Sequence, residues 1–451
     1  MEAPMRSILW WLMGVLALAC FALPAQAAPG APGAREFPPG LQIPEAARTG
    51  PDFDVDRATQ AYLDLLTPEQ RALSDAYFEG GYWLQLWGFL YGLGVCALLL
   101  LSGLSRWMRD LSERLLRRTY LQNALYVALW LVAGFVLALP LSIYADFYRE
   151  HQYGLATQDF GGWFGDQLKG LAIGLVVMPW LVALLYRAVR RVGARWWLWG
   201  SGGALVFFVI SAMLAPVYLA PLFNDYKPLR DGTVRDAVFS LARANQIPTD
   251  NVVEFDASRQ TTRISANVSG FAGTTRVALN DNLLDKTSLP EIKAVMGHEM
   301  GHYVLNHSMR LIIYLTLVIG FALWFTQRGF DALLARWGAR LGLRDRADTA
   351  ALPLAWAVLT LFFFLATPVT NSITRQAEAE ADMFGLDAAR EPYGFAMAAM
   401  RLSTYRKIHP GPLEEIVFYD HPSGYARVRG SMIWLKENQA LLQRESTAPT
   451  P

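Results

Sequence analysis

Residues 298–326 read HEMGHYVLNHSMRLIIYLTLVIGFALWFT. The first five, His298-Glu299-Met300-Gly301-His302, put two imidazoles four residues apart on one helix face, with a carboxylate beside them. Within seven residues the chain enters an apolar block at 309–326, close to the roughly 20 residues that cross a bilayer. Together they predict a metal-dependent hydrolytic site on a helix that leads directly to a membrane span. Upstream, Ser288-Leu289-Pro290-Glu291 supplies a capping box with proline in the first turn, which marks where that helix begins.

The rest of the 451-residue chain fits a polytopic membrane protein. It is 53% apolar, with a mean hydropathy of +0.22, and the apolar residues gather in blocks at about 83–104, 121–144, 168–186, 197–221, 309–326 and 351–371. Pro179, Pro216 and Pro368 fall inside these blocks, where neighbouring helices can tolerate them. A further apolar stretch, Ile8 to Leu23, precedes Ala25-Gln26-Ala27 and reads as an export signal peptide or a first anchor helix, giving six or seven spans. Only Cys20 and Cys96 are present, both in apolar stretches, so no disulfide framework is expected. A net charge of +1 gives no reason to expect a nucleic-acid partner.

Arginines set the orientation, because positively charged loops stay cytoplasmic. They crowd the loops near 105–120, 187–196 and 327–350, whereas 145–167 carries only Arg149 against Asp146, Glu150, Asp159 and Asp166. The expected organisation is a signal or anchor at 1–27, a polar linker with a helical cover at 28–82, and four spans within 83–221. A soluble α+β segment at 222–308 carries the motif helix, two spans fill 309–373, a helical part follows at 374–442, and 443–451 reads as a disordered tail. In the α+β segment Val252–Phe255 and Arg276–Leu279 read as strands, the second after a Gly273-Thr274-Thr275 turn. Loop charge places 28–82, 222–308 and the C-terminal part outside the cytoplasm.

Catalytic zinc takes three protein ligands and leaves one position open, so two histidines are insufficient. Metzincins supply a third histidine six residues after the second, but Ser308 stands there. His307 is five residues on, about 140° around a continuing helix at ~100° per residue, and is expected to point elsewhere. The remaining source is Arg375-Gln376-Ala377-Glu378-Ala379-Glu380-Ala381-Asp382 after the last span, where Glu378 and Asp382 share a face and Glu380 is turned away. Glu378 is expected to complete a site for one Zn2+ per chain, and Asp382 to take the other ring nitrogen of a ligand histidine. Glu299 would carry a proton between water and the leaving amine.

At this point the chain resembles the integral-membrane zinc endopeptidases of the type I CAAX prenyl protease family. The resemblance rests on Pro221-Leu222-Phe223-Asn224 with Lys227-Pro228-Leu229, Ser265-Ala266-Asn267 through Gly270-Phe271, His298 to His302, Arg375 to Asp382, and His421-Pro422 with Arg427 and Arg429. It implies a helical bundle enclosing a chamber, with a small α+β peptidase domain at one end. It also implies that His298, His302 and Glu378 bind zinc, Glu299 is the base, Asp382 supports a ligand, Asn267 holds substrate backbone, and His421 or Arg429 steadies the oxyanion. Val268 and Ser269 depart from the family's usual text after that asparagine. The export-type N-terminus points to a bacterial inner-membrane member with a periplasmic zinc domain, acting on membrane-associated or misfolded polypeptides. The alternatives are a zinc-binding chaperone or quality-control scaffold, in which Glu299 would have no use, and a transporter. The near-absence of charge within the spans argues against the transporter.

Overall fold

The computed structural model describes residues 36–248, 251–270 and 275–447. The signal or anchor reading of residues 1–27, and the turn at Gly273 and Thr274, fall outside them. The chain forms a bundle of long helices with a small α+β domain at one end, as hydropathy and the motif text predict.

The first helices are α1 (Val55–Leu63), α2 (Pro68–Leu101), α3 (Leu104–Leu115), α4 (Thr119–Ser142), α5 (Phe160–Val192) and α6 (Trp196–Leu214). The α+β part holds β1 (Tyr226–Pro228), α7 (Thr233–Ala244), β2 (Val252–Phe255), β3 (Ala266–Ser269), β4 (Arg276–Asn280), α8 (Asp281–Lys286) and α9 (Leu289–Val304). It is followed by α10 (His307–Trp337), α11 (Leu352–Ala389), α12 (Pro392–Leu402), α13 (Pro412–Phe418), α14 (Gly424–Glu437) and α15 (Gln439–Thr447).

Among the described residues five continuous helical runs are long and apolar enough to cross a membrane. One, Phe160–Leu222, turns at Gly193, whose φ of 57° lies in the left-handed half that glycine adopts without a Cβ clash, so α5 and α6 pack against each other as two helices. Their outer faces keep Val176, Leu184, Trp199 and Val206 exposed, as lipid-facing side chains would be. Two helices are longer than their apolar blocks. α2 begins at Pro68, behind a Thr67–Gln70 capping box, so the part of the expected helical cover that starts at Pro68 is the extramembrane end of the first span. α11 runs 38 residues, about 57 Å at 1.5 Å per residue, and carries the acidic text of 375–382 on the same rod as the last span.

The segment expected to be a solvated linker is packed. Val55, Ala58, Tyr62 and Leu63 form an apolar stripe on α1 that buries against Met397, Met400, Val428 and Met432 of α12 and α14. Arg401, also buried, pairs with Glu291 and donates to the carbonyls of Phe37, Pro38 and Gly40, tying this segment to the start of α9. The tail expected to be disordered from Gln443 is helical to Thr447, because Leu442 has the side chains around Trp434 to pack on.

The sheet order is β1-β2-β4-β3. β4 is central, parallel to β2 and antiparallel to β3, with Asn267 opposite Ala278, and its Val277, Ala278 and Leu279 are fully buried. β1, which ends at Pro228, is too short to be legible in the sequence, and it sits at an edge as proline requires. Among the described residues β3 is the other edge, and it packs on α9, which brings a strand edge beside the motif helix.

Candidate active site

Two helices build the site. On α9 the capping box closes as expected, with Glu291 accepting from Ser288, and the helix presents His298, Glu299 and His302. On α11, Glu378 and Asp382 face it one turn apart. What lets these backbones meet is a seam of small residues. A Cβ at Gly297 would stand 2.9 Å from the Gly385 carbonyl oxygen, and one at Gly385 would stand 2.7 Å from the His298 nitrogen. Hydrogens at both positions allow an approach that alanines would prevent.

The resulting geometry is compact. His298 Nε2 lies 3.2 Å from His302 Nε2 and 3.3 Å from Glu378 Oε2, and His302 Nε2 lies 3.4 Å from Glu378 Oε1. One donor atom from each of the three residues falls within 4.8 Å of the others. Asp382 Oδ1 sits 2.8 Å from His298 Nδ1. A carboxylate only accepts, so Nδ1 carries the proton and the His298 lone pair at Nε2 points at the other two acceptors. Three acceptors converging in a buried pocket repel one another unless a cation lies between them. Two imidazoles and a carboxylate make a donor set that suits zinc. Burial alone lowers the His298 pKa, but hydrogen bonds to Asp382 and Glu378 outweigh it and raise it to about 10, so in metal-free protein a proton meets the same demand.

Glu299 lines a cavity of about 280 Å³ with His298, His302, Glu378, His421 and Arg406. Burial, only partly opposed by the two imidazoles, raises its carboxyl above the ordinary glutamate range. That suits a group that must hold a proton briefly near neutral pH. Ile264, Ser265, Tyr405 and Arg406 are shared with a second cavity of about 530 Å³, which runs toward Tyr77 and Phe78 at the outer end of α2.

Three expectations need correction or refinement. Arg429 is not at the site. It is exposed and pairs with Asp56 of α1, because residues two apart on a helix point about 200° apart, so Arg427 faces inward in its place. Arg427 is buried, with Nε 2.9 Å from Asp382 Oδ2 and Nη2 3.1 Å from Glu378 Oε2. His421 does reach the site, with Nε2 3.3 Å from Glu378 Oε2 and Nδ1 held by Asp420 at 2.7 Å. Asn267 lies on the edge strand just past the cavity wall formed by Ile264, Ser265 and Ala266.

His307 is the third. Residue 307 would point elsewhere only on a continuing helix, but α9 stops at Val304 and Asn306 adopts φ 55°, a left-handed turn that asparagine tolerates. α10 then starts at His307, which sets its Nδ1 3.0 Å from Nδ1 of His302. The only sequence signal for this was Asn306, a residue prone to end helices, between two helical stretches.

Comparison with known proteins gives the same picture for nearly the whole chain. Residues 56–225 match the model of the CAAX prenyl protease N-terminal region, with its five membrane helices, and residues 228–430 match that of peptidase family M48. An uncharacterized metalloprotease of Bacillus subtilis, YhfN, is 26% identical over 86% of this chain and 89% of its own length. The CAAX prenyl protease 1 homolog of Arabidopsis thaliana is 26% identical over 73% of this chain and 80% of its own. The crystal structure of Ste24p from S. mikatae superposes with a TM-score of 0.66 at 20% identity, covering 84% of this chain and 94% of that one, and so shares the fold.

Proposed function

We propose that this chain, which belongs to peptidase family M48 and is a membrane metallopeptidase, cuts membrane-associated or misfolded polypeptides at a zinc site made by His298, His302 and Glu378. The observation that carries the reading is the convergence of those three acceptors, with Glu299 in the same cavity wall. Zinc supplies Lewis acidity there, toward a water and toward the scissile carbonyl. Glu299 takes the water's proton and passes it to the leaving amine, so no covalent enzyme intermediate is required. Asp382 keeps the proton of His298 on Nδ1. The open edge of β3, including Asn267, can pair with an extended substrate strand, and His421 can donate to the oxygen that becomes negative. Arg427 holds Glu378 and Asp382 in place.

The expected result of chelation tests this directly. Purified full-length protein should hold about one zinc per chain and cleave an unfolded peptide. A strong chelator should abolish cleavage, and zinc should restore it. Cleavage that persists in fully zinc-free protein would rule the reading out.

The orientation proposed from loop arginines places this site on the periplasmic side of a bacterial inner membrane. Asp285, exposed on α8, reports it. In a Cys96→Ser background, Asp285→Cys should react with a membrane-impermeant maleimide in spheroplasts. Protection until the membrane is lysed would reverse the orientation.

A further inference from the structure

The second zinc ligand has its own support, and it comes from the membrane helices. His302 Nδ1 faces His307 Nδ1 at 3.0 Å, so one of the two nitrogens must donate. His307 Nε2 lies 3.2 Å from Glu380 Oε2, and a carboxylate can only accept, so the His307 proton sits on Nε2 and its Nδ1 is the acceptor. His302 therefore carries its proton on Nδ1 and turns a lone pair at Nε2 toward His298 and Glu378. Glu380 is fixed in turn by both terminal nitrogens of Arg310, at 2.6 and 3.2 Å, and by Gln376 at 3.2 Å. His307 is only 1% exposed, while Glu380 and Arg310 are about a third exposed at the rim.

We infer that His307, Glu380 and Arg310 are positioning residues that lock the tautomer and ring orientation of His302, so that zinc retention depends on how two membrane helices pack. His307 and Arg310 occupy the first turn of α10, three residues apart, and Gln376 and Glu380 are one turn apart on α11. Both helices continue as spans. The two ligand histidines are thus held differently: His298 directly by Asp382, and His302 through an imidazole that bridges to a carboxylate. The break at Asn306 is what makes the bridge possible, because an unbroken helix would carry residue 307 away from residue 302. The inference rests on the zinc reading proposed above and extends it.

Zinc affinity, read by competition with a chromophoric chelator on purified full-length protein, tests the inference without relying on activity. His307→Ala removes the acceptor and should weaken zinc binding about 10–100-fold, the usual cost of losing a partner to a metal-bound histidine. His307→Asn returns an acceptor oxygen near the position of Nδ1 and should recover most of that loss. Glu380→Gln, at the exposed end, tests the same chain without opening a buried cavity, and should weaken binding by less than His307→Ala. A purely structural tie between α10 and α11 would instead lower the metal-free melting temperature and leave zinc affinity at the wild-type value. That result in both His307→Ala and Glu380→Gln would overturn the inference. If the wild-type protein itself binds no zinc, the functional reading fails first, and the two failures are told apart by that measurement.

Discussion

Glu299→Gln is expected to retain zinc at the wild-type level and to lose peptide cleavage by about 10²–10⁴-fold, the usual contribution of a positioned general acid–base group. The amide keeps the size of the side chain, so the cavity formed with His298, His302 and Glu378 should keep its shape. What it cannot do is accept a proton. Burial raises the Glu299 carboxyl, which favours proton capture from water, and the same buried setting leaves an amide no substitute for that step. The loss should fall on kcat with little change in KM, because Glu299 acts on the reacting water and not on substrate backbone. Zinc content and single-turnover cleavage, measured on the same preparation, check this. Cleavage within tenfold of wild type would exclude Glu299 as the proton carrier. It would also revive the zinc-binding scaffold, the reading in which this carboxylate has no function.

The second large effect is expected at Arg427. Its guanidinium lies between Asp382 and Glu378 and is buried with both, so Arg427→Met removes the permanent cation and leaves the two carboxylates only the imidazole of His298 to share. Breaking a buried pair on one side costs about 3–5 kcal/mol, more than replacing the whole pair with apolar groups would. Metal-free Arg427→Met should therefore be destabilised by an amount of that order. Because a bound cation screens the same carboxylates, zinc should raise the variant's melting temperature by more than it raises that of the wild type. Arg429→Met is the matched control. The Arg429–Asp56 pair is exposed, and such pairs are worth about 0–1 kcal/mol. Denaturation of the two variants with and without zinc separates the cases, and equal effects at 427 and 429 would refute the inward assignment of Arg427.

The contrast between these arginines shows where reading along the chain stops. Arg427 and Arg429 occupy the same short motif, and nothing in the local text says which one turns inward. That depends on how α14 is rotated when Val428 and Met432 pack against α1 and α12. His307 has the same difficulty in another form. Its angular position follows from helix geometry only while the helix continues, and Asn306 ends it. The segment at 36–66 looked polar because its apolar residues are sparse, yet their spacing on α1 supplies one complete buried stripe.

Local chemistry was sufficient for the rest. Long apolar blocks can satisfy their backbone in a bilayer only as helices, so the spans follow from composition alone. Two histidines and two carboxylates, each pair four residues apart, must share a helix face, so the halves of the metal site were legible separately. Joining them was the work of the tertiary structure. Gly297 and Gly385 let α9 and α11 come close enough for His298 to meet Glu378, and the helix break at Asn306 turns the first residue of a membrane helix toward His302. Spacing along a helix is a property of the backbone and can be read from residue numbers. Distance and rotation between helices are set by side-chain packing across them, which appears only once the chain has folded.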